Sequence, residues 1–277
     1  SLTKLTTLDL SGSRFSPDDL AVIAELPSLT ELTMVECGLS TIEKLSGAKS
    51  LTYLNLGENT VRNLEVLSNM TTLTELNLQH NAVTSLDALE GLSNLQTLDV
   101  SYNALTTLAP VAGCARLTAL VADNNQITSL DGVSSLQVLT RLSVSHNALT
   151  DVSPISACTA LVELDISSNT LTDISGLSTL VNLERFVFAS NQITALPEWP
   201  EGCKLQVIDG SYNELTSLDN LSKMEDLTYI YMDYNKISDI TSLADNYCLV
   251  QVNVFGNPVS DVAALREHDI IVNYDPT

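Results

Sequence analysis

Leucine, isoleucine and valine recur along the chain at spacings that fit neither a long helix nor a long strand. Residues 76–78 read Leu-Asn-Leu, and apolar side chains then return at every third position, at Leu86, Leu89 and Leu92. The alternation predicts a short strand with both of its leucines on the inward side. The three-residue spacing suits 3₁₀ turns, which have three residues per turn. Each unit of the pattern therefore predicts one strand followed by 3₁₀ turns.

This unit repeats every 22 residues. LTYLNLGENTV starts at Leu51, LTELNLQHNAV starts at Leu73, and similar copies continue to the one at Leu249. Two less regular copies start at Leu5 and Leu29, which gives about twelve repeats. Because one repeat cannot bury its leucines alone, successive repeats must stack, with parallel strands about 4.8 Å apart.

Asparagine occupies the ninth position of ten repeats, from Asn59 to Asn257, and Ser13 and Cys37 take that position in the first two. The chain must bend there to leave the sheet, and a bend leaves backbone groups without partners. A carboxamide supplies both a donor and an acceptor. We interpret the asparagines as a structural ladder and not as a ligand site.

The pattern LxxLxLxxNxL resembles the leucine-rich repeat family over nearly the whole chain. Its 22-residue form is most similar to bacterial internalin-like surface proteins and to some eukaryotic phosphatase regulators. The resemblance implies an α/β fold, a leucine-rich repeat solenoid shaped as a curved horseshoe. The parallel β-sheet would form its concave face, and mostly 3₁₀ turns its convex face.

No linker interrupts the repeats, so we expect a single domain over residues 1–277. In the irregular first repeat, residues 1–28, the segment SPDDLAVIAEL predicts a helix capped by its first serine. Residues 261–277 break the period and predict a C-terminal cap, with Ile270 and Val272 in a last short strand.

Three irregularities in the inward positions have a packing interpretation. Phe186 and Phe188 fill the inward strand positions of one repeat, and Gly210 stands where the next repeat should have a large side chain. A phenyl ring next to a glycine predicts that the ring fills the space that a side chain at the glycine would take, here called an exchange of volume. In LPEWPEG, residues 196–202, two prolines and a glycine predict an extended segment instead of a 3₁₀ turn, with Trp199 packed in the core.

The five cysteines do not form a disulfide or zinc pattern, since their number is odd and no CxxC pair occurs. Cys114 and Cys158 replace leucines two repeats apart, about 10 Å by strand spacing. That separation is too long for a disulfide, so we expect buried free thiols.

Composition narrows the function further. The chain has 34 acidic and 12 basic residues, a net charge of -22. This excess either keeps the protein soluble or attracts a basic partner, and it disfavours nucleic acid and anionic membranes. His80 and His146 lie about 14 Å apart by strand spacing, too far to share a metal. No catalytic or cofactor motif is present, so we expect no catalytic residues, no metal, no cofactor and no membrane insertion by this segment.

Aromatic residues are only 5% of the chain, yet four of its eight tyrosines fall between residues 212 and 234, all at outward positions. The alternatives are a scattered amphipathic surface and an exposed binding patch. The candidate ligand-binding residues, here called the tyrosine patch, are Tyr212, Tyr229, Tyr231, Tyr234, Phe255, Asp209 and Asp233.

The sequence thus predicts a non-enzymatic binding scaffold. The internalin-like resemblance implies a bacterial protein at the cell surface or secreted, which binds a protein, of basic character, or as second choice a glycan. The alternative is an intracellular regulatory subunit of the phosphatase-regulator type, in the cytoplasm, for which unpaired buried thiols are natural.

Overall fold

A computed structural model describes residues 2–275. The chain divides into two compact units, residues 1–139 and 140–277. The predicted fold class is confirmed in each, because short parallel strands alternate with segments made mainly of 3₁₀ turns. The single domain over residues 1–277 stays a prediction.

The strands pair in parallel and in chain order within each unit. Equivalent residues of successive repeats lie opposite one another, as Leu32 does to Leu54 and Ile208 to Ile230. The strands of the first unit are β1 (Thr7–Asp9), β2 (Glu31–Thr33), β3 (Tyr53–Asn55), β4 (Glu75–Asn77), β5 (Thr97–Asp99) and β6 (Ala119–Val121). Those of the second unit are β7 (Arg141–Ser143), β8 (Glu163–Asp165), β9 (Arg185–Val187), β10 (Val207–Asp209), β11 (Tyr229–Tyr231), β12 (Gln251–Asn253) and β13 (Ile271–Asn273).

The middle residue of each strand from β2 to β12 is buried, with at most 2% of its surface exposed. Full burial of one such side chain stabilises the fold by about 1.5–3 kcal/mol. The residues on either side of it point to the opposite face of the sheet, here called the strand face. Stacked repeats therefore supply the core, and the strand face carries the variable side chains.

Most repeats return to the next strand through 3₁₀ turns, as predicted. These turns are Glu43–Gly47, Glu65–Asn69, Asp87–Leu89, Ala109–Gly113, Val133–Ser135, Ser153–Ala157, Ser175–Thr179, Asp219–Leu221 and Thr241–Asp245. The segment between β9 and β10 has none, which confirms the prediction from its two prolines. Trp199 is half-buried there and packs edge-on to Phe186, with ring centroids 6.2 Å apart.

The predicted N-terminal helix is α1 (Pro17–Ala24). The Ser16 hydroxyl accepts a hydrogen bond from the Asp19 backbone N–H, and the Asp19 carboxylate accepts one from the Ser16 backbone N–H. This reciprocal capping box satisfies two donors that the first turn of a helix would otherwise leave free.

The C-terminal cap differs in detail from the prediction. A short helix, α2 (Ala263–Glu267), precedes the last strand, and the sequence analysis had not predicted it. Val272 lies in β13, whereas the buried Ile270 comes just before that strand. The last two residues of the predicted cap, 276 and 277, lie outside the described residues.

The asparagine ladder is confirmed. Asn235 Nδ2 donates to the carbonyl oxygens of Gly210, at 2.9 Å, and of Met232, at 3.1 Å. Its Oδ1 accepts a 3.0 Å hydrogen bond from the Leu215 backbone N–H, 20 residues earlier. Each carboxamide of this kind joins two repeats and satisfies backbone groups that the bend removes from the sheet.

The exchange of volume is also confirmed. Phe186 and Phe188 are fully buried and their ring centroids lie 4.8 Å apart. A β-carbon on Gly210 would lie 2.6 Å from Phe188 Cε2 and 2.9 Å from Met232 Sδ, closer than real side chains approach. The phenyl ring of Phe188 therefore occupies the space that a side chain at position 210 would need.

All five thiols are free. Cys114 and Cys158 are fully buried, and burial raises the pKa of each to about 11. At neutral pH these thiols are protonated and unreactive. Cys248 is the exposed one.

Candidate functional site

Three residues of the tyrosine patch lie in two adjacent strands of the second unit, and the other four come shortly after the ends of β10, β11 and β12. Asp209 of β10 lies opposite Tyr231 of β11, and Tyr231 lies opposite Asn253 of β12. Tyr229 is at the start of β11, where it lies opposite Gln251. These strand positions face away from the core, so Asp209, Tyr229 and Tyr231 belong to the strand face.

Tyr212 and Tyr234 form the best-defined contact of the patch. Their rings are stacked, with centroids 4.7 Å apart and an interplanar angle of 14°. The other side of the Tyr234 ring lies over Gly256, where a β-carbon would come within 2.6 Å of Tyr234 Cδ1. The two residues remain 55% and 54% exposed. A flat aromatic surface therefore faces solvent just beyond the ends of β10 and β11.

Backbone conformation explains why these two rings stack. Tyr212 and Tyr234 occupy the eighth position of their repeats, and their φ angles are 58° and 55°. His80 and Tyr102 share that position and have φ angles of 51° and 55°. Residues with a branched β-carbon adopt this left-handed region poorly, and no repeat from Leu5 to Leu249 has one at its eighth position. Equivalent side chains therefore leave the chain in the same direction, one repeat apart.

Acidic groups border the aromatic surface. Asp233 Oδ1 accepts a 2.8 Å hydrogen bond from the Phe255 backbone N–H, and Asp275 accepts one of 2.7 Å from the Gly256 N–H. Burial raises the pKa of Asp233, and the neighbouring carboxylates Asp209 and Asp275 raise it further, against the lowering effect of the Phe255 hydrogen bond. The patch is therefore electronegative and suited to a cation, such as a guanidinium or ammonium group.

The remaining predicted residues are less closely associated. Tyr229 is 36% exposed, Phe255 is 40% exposed, and Tyr231 is half-buried. Within residues 2–275, none of these three rings stacks on another ring. The structure therefore brings Tyr212 and Tyr234 into one corner with Asp233 and with the Phe255 backbone that bonds to it, while Tyr229 lies at the opposite end of its strand.

A second stack, in the first unit, escaped the sequence analysis. The rings of His80 and Tyr102 lie 3.9 Å apart at an angle of 10°, and His80 Nε2 lies 3.7 Å from Glu58 Oε1. All three residues take the eighth position of consecutive repeats. That shared position was the available signal, and it was missed because the left-handed conformation had not been foreseen.

The sequence analysis also did not predict a charged cleft on the strand face of the second unit. The cleft encloses about 210 Å³ and is bordered by Arg141, Glu163 and Arg185, which take the same position in β7, β8 and β9. Arg141 Nε lies 3.6 Å from Glu163 Oε2. Of the 12 lysines and arginines of the chain, only Arg141 and Arg185 lie in strands.

Residues 2–275 contain no group of three or more His, Cys, Asp or Glu side chains placed to hold a metal ion. Within the same range, no helix has the length and apolar character needed to cross a bilayer.

Comparison with known proteins supports the repeat assignment. A model described as leucine-rich repeats in two copies matches residues 71–113, 93–136, 137–179 and 159–201. A second leucine-rich repeat model matches residues 1–24. A comparison with curated protein sequences gives no significant match.

Solved structures with the same fold include two internalins of Listeria monocytogenes. The internalin InlF is 27% identical, with a TM-score of 0.85 over 94% of this chain and 76% of its own. Internalin C2 is 30% identical, with a TM-score of 0.63 over 73% of this chain and 84% of its own.

The ectodomain of the plant receptor kinase GASSHO1/SCHENGEN3 from Arabidopsis thaliana, solved in complex with CASPARIAN STRIP INTEGRITY FACTOR 2, is more distant. It is 22% identical, with a TM-score of 0.83 over 99% of this chain and 36% of its own. At that identity the likeness concerns the fold alone.

Proposed function

We propose that this chain, which belongs to the leucine-rich repeat family, binds a protein partner through the tyrosine patch. Leucine-rich repeat proteins are generally non-enzymatic binding scaffolds, and the receptor ectodomain with the same fold was solved in complex with a named factor. The likeness of this chain to internalins supports the proposal that it is a bacterial protein, which acts at the cell surface or after secretion.

The observation that carries the proposal is the stack of Tyr212 on Tyr234. Both residues are about half exposed just beyond the ends of β10 and β11, although the inward positions of the core are already filled. Tyrosine offers a large contact area with little conformational entropy to lose, and its hydroxyl can orient a partner. Such exposed aromatic clusters are frequent at the energetic centres of protein interfaces.

The charge of the patch favours a basic partner. Asp209 and Asp233 lie among the rings, and burial of Asp233 means that its carboxylate gains from a nearby cation. An arginine or lysine of the partner would pair with a carboxylate and lie over a tyrosine ring. A sugar stacked on the rings is the second choice, and it would not require the carboxylates.

The test uses the labelled protein on an array of secreted and cell-surface proteins. We expect at least one protein to bind, and the double variant Tyr212→Ala/Tyr234→Ala to weaken that binding by about tenfold or more. Tyr247→Ala is the matched control, because Tyr247 is 94% exposed in the same unit but lies outside the strands. Thermal unfolding of each variant shows whether the fold is kept.

Two outcomes would count against the proposal. One is an equal loss of binding in the Tyr247 control, which would mean that any exposed tyrosine contributes to a nonspecific contact. The other is binding that a neutral glycan abolishes by competition at the same rings, which would favour the sugar.

A further inference from the structure

We infer that the cleft between Arg141 and Arg185 receives an acidic side chain, Asp or Glu, from the same protein partner that occupies the tyrosine patch. The inference rests on the proposed function and adds a second contact of opposite charge. The partner segment would then be bipolar, with a carboxylate at this cleft, here called the arginine cleft, and a cation at the patch.

The position of the two arginines is unusual for this chain. The other ten lysines and arginines all lie outside the strands. Arg141 and Arg185 instead occupy the same outward position of β7 and β9, with Glu163 of β8 between them in register. On a protein with a net charge of -22, the strand face of the second unit therefore carries its positive charge at one place.

The formal charges of the two arginines and of the two carboxylates that border the cleft sum to zero, but the Arg185 guanidinium is left out of the local pairing. Glu163 pairs with Arg141, and both side chains remain at least half exposed. The carboxylate of Asp165, which also borders the cleft, accepts hydrogen bonds from the Ser167 backbone N–H and hydroxyl. Arg185 makes no ion pair within the part of the chain that the structure describes, and its planar guanidinium has five N–H donors.

Stability of the fold does not account for this arrangement. An exposed ion pair such as that of Arg141 with Glu163 contributes little to the stability of a fold. Arg185 is exposed and has no such pair. The open volume of about 210 Å³ is large enough for the carboxylate end of an aspartate or glutamate. A guanidinium binds such a carboxylate through two parallel hydrogen bonds.

The spacing of the two contacts predicts the spacing on the partner. The cleft is centred on β8 and the patch on β11, three strands away, which is about 14 Å at the spacing of paired strands. An extended chain covers about 3.3 Å per residue. Because the rings of the patch lie beyond the ends of their strands, this distance is a minimum. The acidic residue of the partner should therefore precede or follow its basic residue by at least about four positions.

The experiment is a selection from a displayed library of random twelve-residue peptides against the whole chain. It is repeated with Arg141→Gln/Arg185→Gln and with the patch variant Tyr212→Ala/Tyr234→Ala. The control is Lys204→Gln/Lys223→Gln, which removes the same charge from exposed residues of the same unit that lie outside the strands. Selected peptides are synthesised, and their affinities are measured by fluorescence anisotropy.

We expect peptides with an Asp or Glu at least about four positions from an Arg or Lys. Their affinity should fall about tenfold for Arg141→Gln/Arg185→Gln and stay within about twofold for the lysine control. Replacing the acidic residue of the peptide by its amide should cost about tenfold against the unchanged protein and little against the arginine variant.

The other outcomes separate this inference from the proposed function. Peptides that need the tyrosines but not the arginines would overturn the acidic contact and leave the proposed function standing. Peptides that need neither, or a library that yields no binder, would overturn both. A third outcome is that the peptides show no preference for an acidic residue, while an acidic glycan binds the parent protein and not the arginine variant. The cleft would then bind the carboxylate of a sugar.

Discussion

The packing and hydrogen bonding of single side chains in this protein depend on the residues one repeat away. Gly210 is compatible with its repeat because Phe188, 22 positions earlier, fills the space beside it. Asn235 satisfies carbonyl groups of its own repeat and of the preceding one. The energetic effect of a substitution is therefore decided by a pair of positions, which makes double variants informative.

Gly210→Ala should lower the free energy of unfolding by about 1–3 kcal/mol, because the new methyl group would overlap the Phe188 ring. The same change in a Phe188→Leu background should cost less. Urea unfolding of the four proteins in this cycle measures the coupling. Gly176→Ala is the control, since a β-carbon there meets nothing within 4 Å. Strict additivity of the two changes would show that the side chains do not compete for space.

Asn235→Ala should destabilise the protein by about 1–3 kcal/mol, since it leaves buried carbonyl and N–H groups without partners. Asn182→Ala removes one exposed hydrogen bond, to the Thr159 carbonyl, and should cost much less. Urea midpoints at constant m-value give the comparison. Similar losses in the two variants would mean that burial of the ladder is unimportant.

Asp233 and Asp239 should respond to pH in opposite ways. Burial raises the pKa of Asp233 above its ordinary value of 3.8, so stability falls as pH rises from that value through the folded pKa. Hydrogen bonds from the Thr241 backbone N–H and hydroxyl lower the pKa of Asp239, so its contribution is present above 3.8 and is lost as pH falls through the folded pKa.

When the pH is raised from 3.5 to 7, the stability of Asp233→Asn should therefore rise relative to that of the parent protein. The stability of Asp239→Asn should fall relative to the parent over the same change of pH. Urea unfolding at the two pH values tests the signs. Shifts of both variants in one direction would contradict the assigned causes.

At the scale of elements, the two ends of the chain depart from the repeat. Helix α1 lies within the first repeat and packs against the 3₁₀ turn Glu43–Gly47 of the next one. At the other end, α2 packs against β13 and against Thr241–Asp245. Such terminal elements cover core side chains that have no further repeat beside them.

Ser16→Ala should destabilise the protein by about 1 kcal/mol, because the N-terminal donors of α1 lose their acceptor. Ser16→Asp keeps an acceptor and is the matched control. Hydrogen exchange of the backbone amides in residues 18–24 locates the effect. Unchanged protection in Ser16→Ala would indicate that packing, and not the cap, holds this helix.

At the scale of the whole molecule, charge is the dominant property. The chain has 34 acidic residues and only 12 basic ones. Most acidic side chains therefore lack a cationic neighbour, and their mutual repulsion opposes the compact state.

Stability should consequently rise with ionic strength. We expect a higher urea midpoint in 0.5 M NaCl than in 10 mM NaCl, since the Debye length falls from about 30 Å to less than 10 Å. Sucrose, which stabilises without screening, is the control for a general solute effect. A midpoint that does not change with salt would mean that the acidic residues are too well separated to repel.

The sequence was sufficient for most of the fold because the repeat applies one constraint about twelve times. Strands, 3₁₀ turns, the asparagine ladder and the Gly210 exchange all follow from which positions are apolar or small. The stack of Tyr212 on Tyr234 could not be predicted from the sequence, because the stack requires the positive φ angles of the eighth position. The arginine cleft was missed because an outward arginine looks like ordinary surface until its neighbours in register are known.

The contact of Phe188 with Gly210 also bears on how such a gene can change. Unequal recombination adds or removes whole units of 22 residues. At most places in the array, an inserted unit would pack its inward leucines against the inward leucines of its neighbours. A unit inserted between these two residues would separate the ring from its gap and bring a leucine against the phenyl group. Copy number should therefore vary more freely elsewhere in the array, and these two repeats should be inherited together.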